Sequence, residues 1–167
     1  MKARAGDVGS QLLEMLPVLR RFALALTRSP DKADDLVQAA CERALASADR
    51  FEQGTRFDAW MFRIMRNLWI DRIRREKVAG PAVDIDESPD VPGISGEQVV
   101  EARLTLKSVS AAIEQLPDEQ REVLMLTCVD DLPYREAAAV LGVPIGTVMS
   151  RLARARRKLA EAAGITG

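Results

Sequence analysis

The chain is 167 residues long, 47% hydrophobic and 29% charged, with 24 Lys and Arg against 25 Asp and Glu for a net charge of −1. That length fits one domain or two small ones, and the apolar content is enough for a buried core, which excludes wholesale disorder. There is no histidine, which excludes Ser-His-Asp and Cys-His catalysis and His-containing zinc sites, and the balanced charge means that any nucleic-acid surface must come from segregated bases.

Aromatic residues are only 4%, while Ala, Leu and Arg are plentiful, which predicts an all-α chain. A first helix is predicted over about Gln11–Thr27, where Leu12, Leu16, Leu19, Phe22, Ala23 and Leu26 recur at helical spacing. Pro17 is expected to kink it or shift its start. Ser29-Pro30 reads as an N-cap followed by proline at the first helical position, opening a second helix that runs to about Ala48. After the loop Phe51–Gly54, Thr55 and Asp58 fit a capping box for a third helix, about Phe57–Lys77. Its apolar stripe is Phe57, Trp60, Met61, Ile64, Met65 and Leu68.

From Ala79 to Gly96 the chain holds three prolines, three glycines, four acids and no base, without helical or strand period. That composition predicts a flexible acidic linker between two helical domains, residues 11–78 and 97–163. The second domain is expected to open with a helix over about Glu97–Gln115. Leu116-Pro117 ends it and starts another that stops near Asp130-Asp131. Two shorter helices follow, about Pro133–Leu141 and Gly146–Ala163, around a turn in which Gly142 takes the left-handed conformation.

The last helix carries two stripes. Val148, Leu152, Ala155 and Leu159 must face a core. Thr147, Arg151, Arg154 and Lys158 follow the same spacing one position earlier, and Ser150, Arg156 and Arg157 widen that polar stripe. Gly146–Ala160 has five bases and no acid. A merely solvated helix mixes signs to gain i,i+4 pairs, so the unmixed stripe points to phosphates. With the short helix before it and the tight turn, the pattern is a helix-turn-helix whose second helix enters the major groove. The plainer alternative is a helical hairpin with a basic outer face.

The third helix is basic as well. Arg56 to Lys77 holds seven bases against three acids, with Trp60 and Trp69 among them. Bases and aromatics together grip a nucleic-acid backbone and stack on unpaired bases. Trp60 reads as core, Trp69 lies at the stripe's edge, and Asp71 has Arg75 as an i+4 partner. On the second helix, Asp31, Asp34, Asp35 and Glu42 make an acidic face. Favourable interaction with the helix dipole explains part of that face without any partner. Cys41 and Cys128 are too far apart for a CxxC pair and read as small hydrophobes in a reducing compartment. No apolar run is long enough to span a bilayer and the N-terminus is unlike a secretory signal, so a cytoplasmic protein without membrane insertion is expected. No metal site and no cofactor are predicted.

Three segments in order resemble bacterial sigma factors of the extracytoplasmic-function (ECF) type, in the sigma-70 superfamily, over about Gln11 to Ala163. Asp34-Asp35-Leu36-Val37-Gln38 resembles the family's clamp-binding helix. Phe57-Asp58-Ala59-Trp60-Met61 with Ile64, Asn67, Asp71, Arg74 and Arg75 resembles its −10 helix in region 2. Leu116–Val123 followed by Tyr134–Ala138, Leu141-Gly142, Gly146-Thr147-Val148 and Ser150–Arg156 resembles its region 4, the −35 domain. The sequence departs from the family at Ala39-Ala40-Cys41, at Leu45, where an aromatic is frequent, and at Asp131-Leu132-Pro133, which replaces a glycine-containing turn. The segment Leu12–Phe22 and the Phe51–Gly54 loop are similar to the general-stress branch of proteobacteria.

The resemblance implies a non-enzymatic factor that directs RNA polymerase to −35 and −10 promoter elements, for a stress or envelope response. It implies that Asp34, Asp35, Leu36 and Gln38 dock on the polymerase β′ clamp coiled coil, and that the β flap is a second contact. It implies −10 contacts from Arg56, Arg63, Asn67, Asp71, Arg74 and Arg75. The −35 contacts would come from Thr147, Ser150, Arg151, Arg154, Arg156, Arg157 and Lys158. A captured base is expected at the loop Phe51–Arg56, and an anti-sigma protein is expected to hold the two domains. The competing readings are a conventional helix-turn-helix regulator, a carboxylate-metal nuclease, for which the acids are not clustered, and a structural adaptor.

Overall fold

The computed structural model describes residues 4–79 and 101–164, with the side chains of 101–106 left out of account. The predicted linker falls almost entirely outside the described residues, as does the predicted helical stretch 97–100. The described elements are α1 (Ala5–Thr27), α2 (Pro30–Ala46), a 3-10 turn (Ala48–Arg50), α3 (Phe57–Val78), α4 (Glu101–Gln115), α5 (Asp118–Leu124), a π-helical turn (Met125–Val129), α6 (Tyr134–Leu141) and α7 (Ile145–Ala162). No strand occurs among the described residues.

In the first body, α1 and α2 form a hairpin across Arg28-Ser29, and α3 packs on both. α1 begins six residues before its predicted start. The Asp7 carboxylate accepts the Arg4 N–H, and Val8 is fully buried, so the first turns are anchored at both ends. Pro17 sits exposed inside the helix without shifting its start. Ser29 caps α2 as predicted, its hydroxyl accepting from the Lys32 N–H.

The Thr55 capping box does not form. Arg56 is the cap residue of α3, Thr55 Oγ1 donates to Glu52 O at 2.6 Å, and Asp58 holds the Arg56 guanidinium at 2.8 Å. The Arg56 guanidinium offers Asp58 a charged, two-pronged donor where the box offers one backbone N–H. The apolar stripe of α3 is also wider than predicted. Phe62 is fully buried with its ring 4.7 Å from that of Phe22, and Ala59 is buried too.

In the second body, α4 and α5 pack on α7, and α6 crosses α7 at 101° around Gly142, whose φ is +67°. The fifth predicted helix is split. α5 ends at Leu124 and the chain continues as the π-helical turn, with Asp131 at φ +60° just before α6. Asp131 thus occupies the left-handed position that a glycine would take without strain.

The two bodies touch. α3 packs on α6, and α1 on α5. Arg121, 3% exposed, donates to Leu116 O at 3.0 Å within its own body and to Ala25 O at 2.6 Å in the other.

Candidate nucleic-acid interface

α7 owes its position to one face. Val148, Leu152 and Ala155 are buried at 0%, 2% and 0% exposure. They clamp the helix against α4, α5 and α6, and the close crossing is possible because α6 presents Ala137 and Ala138 there. The adjoining flank is left outward. Arg154, Arg157, Lys158 and Ser150 are exposed and Thr147 is half-buried in the first turn. Arg151 is only 17% exposed, its guanidinium 3.6 Å from the Glu119 carboxylate. Arg156 departs from the predicted stripe. At 100° per residue it falls on the opposite flank of the buried ridge from Arg154, beside Cys128 and Tyr134. Cys128 is exposed, against the expectation of a buried hydrophobe, whereas Cys41 is half-buried and burial raises its thiol pKa.

On α3, Arg63, Asn67, Asp71 and Arg74 are all exposed. Arg63, Asn67 and Arg74 lie on one line at i, i+4 and i+11, with Asp71 beside it. Arg75, also exposed, belongs to the neighbouring line of Ile64 and Leu68 and does not pair with Asp71 among the described residues. The i,i+4 pair there is Arg72–Glu76, at 3.3 Å. Arg56 is exposed at the head of the helix. Trp69 is half-buried against the core with the Arg72 guanidinium 6.0 Å from its ring.

A cavity of about 190 Å³ opens beside this line, between the end of α2 and α3. Arg43, Ser47 and Arg50 line one side and Trp60, Asn67 and Asp71 the other. The loop Phe51–Arg56, expected to form the pocket, does not line it. Phe51 and Phe57 are buried and their rings stand 5.1 and 5.8 Å from that of Trp60. The loop packs behind Trp60, one wall of this cavity, and is a separate place on the surface. Arg43, Ser47 and Arg50 carry no signal in the sequence, since they lie at the end of α2 and in the turn after it with no periodic relation to α3. Only the fold brings them opposite Asn67.

On α2, Asp34, Asp35 and Gln38 are exposed, as a docking surface requires. Asp34 pairs with Arg20 at 3.1 Å with both side chains more than half exposed, so the pair is weak and readily exchanged. Gln38 Nε2 donates to Glu42 at 3.5 Å. Leu36 is corrected: at 3% exposure it belongs to the core and cannot touch a partner on this surface.

Comparison with known proteins follows this division. Residues 12–78 match the sigma-70 region 2 family and residues 106–159 the sigma-70 region 4 family. The ECF RNA polymerase sigma factor EcfG of Rhodopseudomonas palustris is 36% identical over 156 residues, covering 93% of this chain and 84% of that protein. The ECF sigma factor SigW of Bacillus subtilis is 33% identical, covering 77% of this chain and 73% of its own. Among solved structures, the sigma factor RpoE of Bartonella quintana, crystallised in complex with the anti-sigma factor NepR, superposes with a TM-score of 0.76 at 35% identity, over 96% of this chain and 99% of that one. A basic helix-turn-helix at one end, a basic helix over a cavity at the other and relatives matched along both bodies lead to one conclusion: the chain belongs to the ECF family of alternative sigma factors, which direct promoter recognition at transcription initiation.

Proposed function

We propose that this sigma factor divides its work as its charge is divided. The α7 flank of Thr147, Ser150, Arg151, Arg154, Arg157 and Lys158 reads the −35 duplex, with Arg156 reaching at most a flanking phosphate. The α3 line of Arg63, Asn67, Asp71 and Arg74, with Arg56 and Arg75 at its margins, meets the −10 element. The cavity behind Trp60 takes one unstacked base. It is smaller than the roughly 300–1,000 Å³ of drug-sized ligand sites, and capturing the base offsets the few kcal/mol that unstacking costs. Asp34, Asp35 and Gln38 dock on core polymerase at the β′ clamp, with the β flap as second contact. An anti-sigma factor restrains the two domains, as one binds the RpoE relative. The protein acts in the cytoplasm and has no catalytic activity of its own. Among the described residues no single helix is long and apolar enough to cross a membrane. Stress or envelope genes are the regulon class.

The observation that carries this reading is the cationic flank of α7 from Thr147 to Lys158, a stretch without an acid, presented by a helix-turn-helix crossing at 101°. Two modest DNA sites joined in one chain gain by effective concentration only when their spacing is held, so the free chain binds promoters weakly and core enzyme tightens the binding. Run-off transcription with core polymerase on a genomic promoter library tests it. Arg151→Glu with Arg154→Glu removes two contacts of about 1–3 kcal/mol each, so transcripts fall about 30-fold or more. Undiminished initiation by that variant refutes the assignment. A factor that supports no initiation with core enzyme alone is a conventional regulator instead.

A further inference from the structure

Ile145 and Met149, 45% and 50% exposed, share one edge of the first two turns of α7. They are one turn apart, and Ala153, a turn further on, is exposed as well. A single exposed apolar residue needs no explanation. This row does, because it lies at the end of the helix that a helix-turn-helix pushes into the major groove.

The buried ridge of Val148, Leu152 and Ala155 fixes which face of α7 looks inward. At 100° per residue, Gly146, Ser150 and Arg157 point away from that ridge, and Thr147 and Met149 stand about 80° to either side of them. The edge with Thr147 also carries Arg151, Arg154 and Lys158. The edge with Met149 carries Ile145 and Ala153. The groove therefore meets one cationic edge and one apolar edge, and Met149 does not belong to the core cluster that holds the helix in place.

Between the two edges, in the first turn, stands Gly146. Its φ is not left-handed, and a Cβ there would meet nothing within 4 Å. Neither the backbone nor the packing of the chain calls for glycine, which a helix disfavours relative to alanine. The bare backbone is explained by something outside the chain that comes close to it, and the floor of the groove lies on that side.

The apolar edge also has a chemical preference. Among the base edges in the major groove, thymine alone carries a methyl group, while the others present donors and acceptors. A thioether pressed on a polar edge takes water from groups that it cannot satisfy. On a methyl it buries apolar surface from both sides, and an unbranched Met side chain adapts to where that methyl lies.

We propose that Met149 is a specificity-determining residue of the −35 contact, its thioether packing on the C5-methyl of one thymine, with Gly146 giving α7 the clearance to bring it there. This rests on the −35 reading of α7 above and adds to it the base that the apolar edge selects.

Holoenzyme binding to a promoter fragment found by run-off transcription reads the contact, with deoxyuridine replacing each −35 thymine in turn on either strand. Deoxyuridine keeps the base pair and loses only the methyl. At one position the parent binds the uracil fragment about fourfold more weakly, which is the worth of one buried methyl. Met149→Ala no longer distinguishes the two fragments, and Met149→Leu restores the distinction. Gly146→Ala weakens binding to both fragments, while the urea midpoint of the free chain stays or rises. A parent blind to every methyl, a −35 element without thymine, or a Met149→Ala protein that keeps the parent's preference overturns the methyl contact. In the last case, equal weakening on both fragments assigns Met149 to a polymerase contact instead. Gly146→Ala that binds as the parent does, or that lowers the midpoint, overturns the clearance. If Arg151→Glu with Arg154→Glu leaves binding undiminished, the −35 reading itself fails and takes this contact with it. If that variant loses binding while Met149→Ala keeps the thymine preference, the −35 reading stands and the Met149 contact alone falls.

Discussion

Arg121 is a buried guanidinium that closes the carboxyl ends of two helices from different bodies. It donates to Glu114 O at 3.4 Å and Leu116 O at 3.0 Å, at the end of α4, and to Ala25 O at 2.6 Å, in the last turn of α1. Burial lowers its pKa, and the hydrogen bond to Asp118 is the largest influence the other way. The cost of Arg121→Ala follows group by group. Ala25 O loses a charged donor and is left unsatisfied, about 1–3 kcal/mol. Leu116 O keeps Arg28 Nη2 at 2.9 Å and loses less. The partner Asp118 is 74% exposed, so breaking that pair costs little. Lost packing of the aliphatic stem adds to the total, which comes to about 2–4 kcal/mol. With an m-value of about 2 kcal/mol/M, the urea midpoint followed by far-UV circular dichroism drops by about 1–2 M. Arg121→Lys, with one cationic nitrogen in place of a fork, recovers part of this. Arg28→Ala costs less, because Arg121 still serves Leu116 O. A midpoint for Arg121→Ala within about 0.25 M of the parent would refute the account, since the bridging bonds would then carry no weight.

Asp131, at φ +60°, is predicted to accept glycine with little change in thermal stability, whereas Asp131→Val costs about 1–2 kcal/mol, because a β-branched side chain crowds the left-handed backbone; a thermal melt compares the three proteins. Closure is predicted to depend on pH. Burial is the largest influence on Glu122 and Asp130 and raises both carboxyls, against the lowering by Arg66 and Arg21 respectively. Closing the bodies therefore takes up protons. This contribution is complete below the ordinary carboxyl range and is lost as pH rises through the raised closed-state values, so the closed form becomes easier to expand, by salt or urea, as pH is raised. Glu122→Gln with Asp130→Asn flattens that dependence, and a parent protein whose expansion ignores pH contradicts it.

The local elements were legible in the sequence wherever one force dominated. Ser29-Pro30 opens α2, Gly142 ends α6, and the ridge of Val148, Leu152 and Ala155 is buried as its spacing required. The stripes on α7 and α3 were visible because an acid-free run on α7, and seven bases against three acids on α3, are hard to explain by solvation alone. The misses have a common cause, which is competition that the sequence does not rank. Asp58 serves Arg56 and not a capping box. Leu36 sits inside an acidic motif but faces the core. Arg156 is two residues past Arg154 and so lands on the other flank of the helix. The cavity and the contact between the bodies were invisible for a stronger reason. Both join residues whose separation along the chain carries no periodic signal, such as Arg43 with Asn67, or Arg66 with Glu122 across 56 positions.

That last contact has to satisfy two opposed demands. It must be specific, since α6 docks on α3 in one register. It must also be weak, since the same two bodies separate by roughly twice the width of the closed molecule to span a promoter. An apolar interface of the same area would meet the first demand and fail the second, because every buried Å² would add about 25 cal/mol to the cost of opening. Ion pairs meet both. Desolvating Glu122 and Asp130 cancels much of what their arginines return, so these two pairs add little beyond the Arg121 bond to Ala25 O, while any other register leaves a buried charge without a partner.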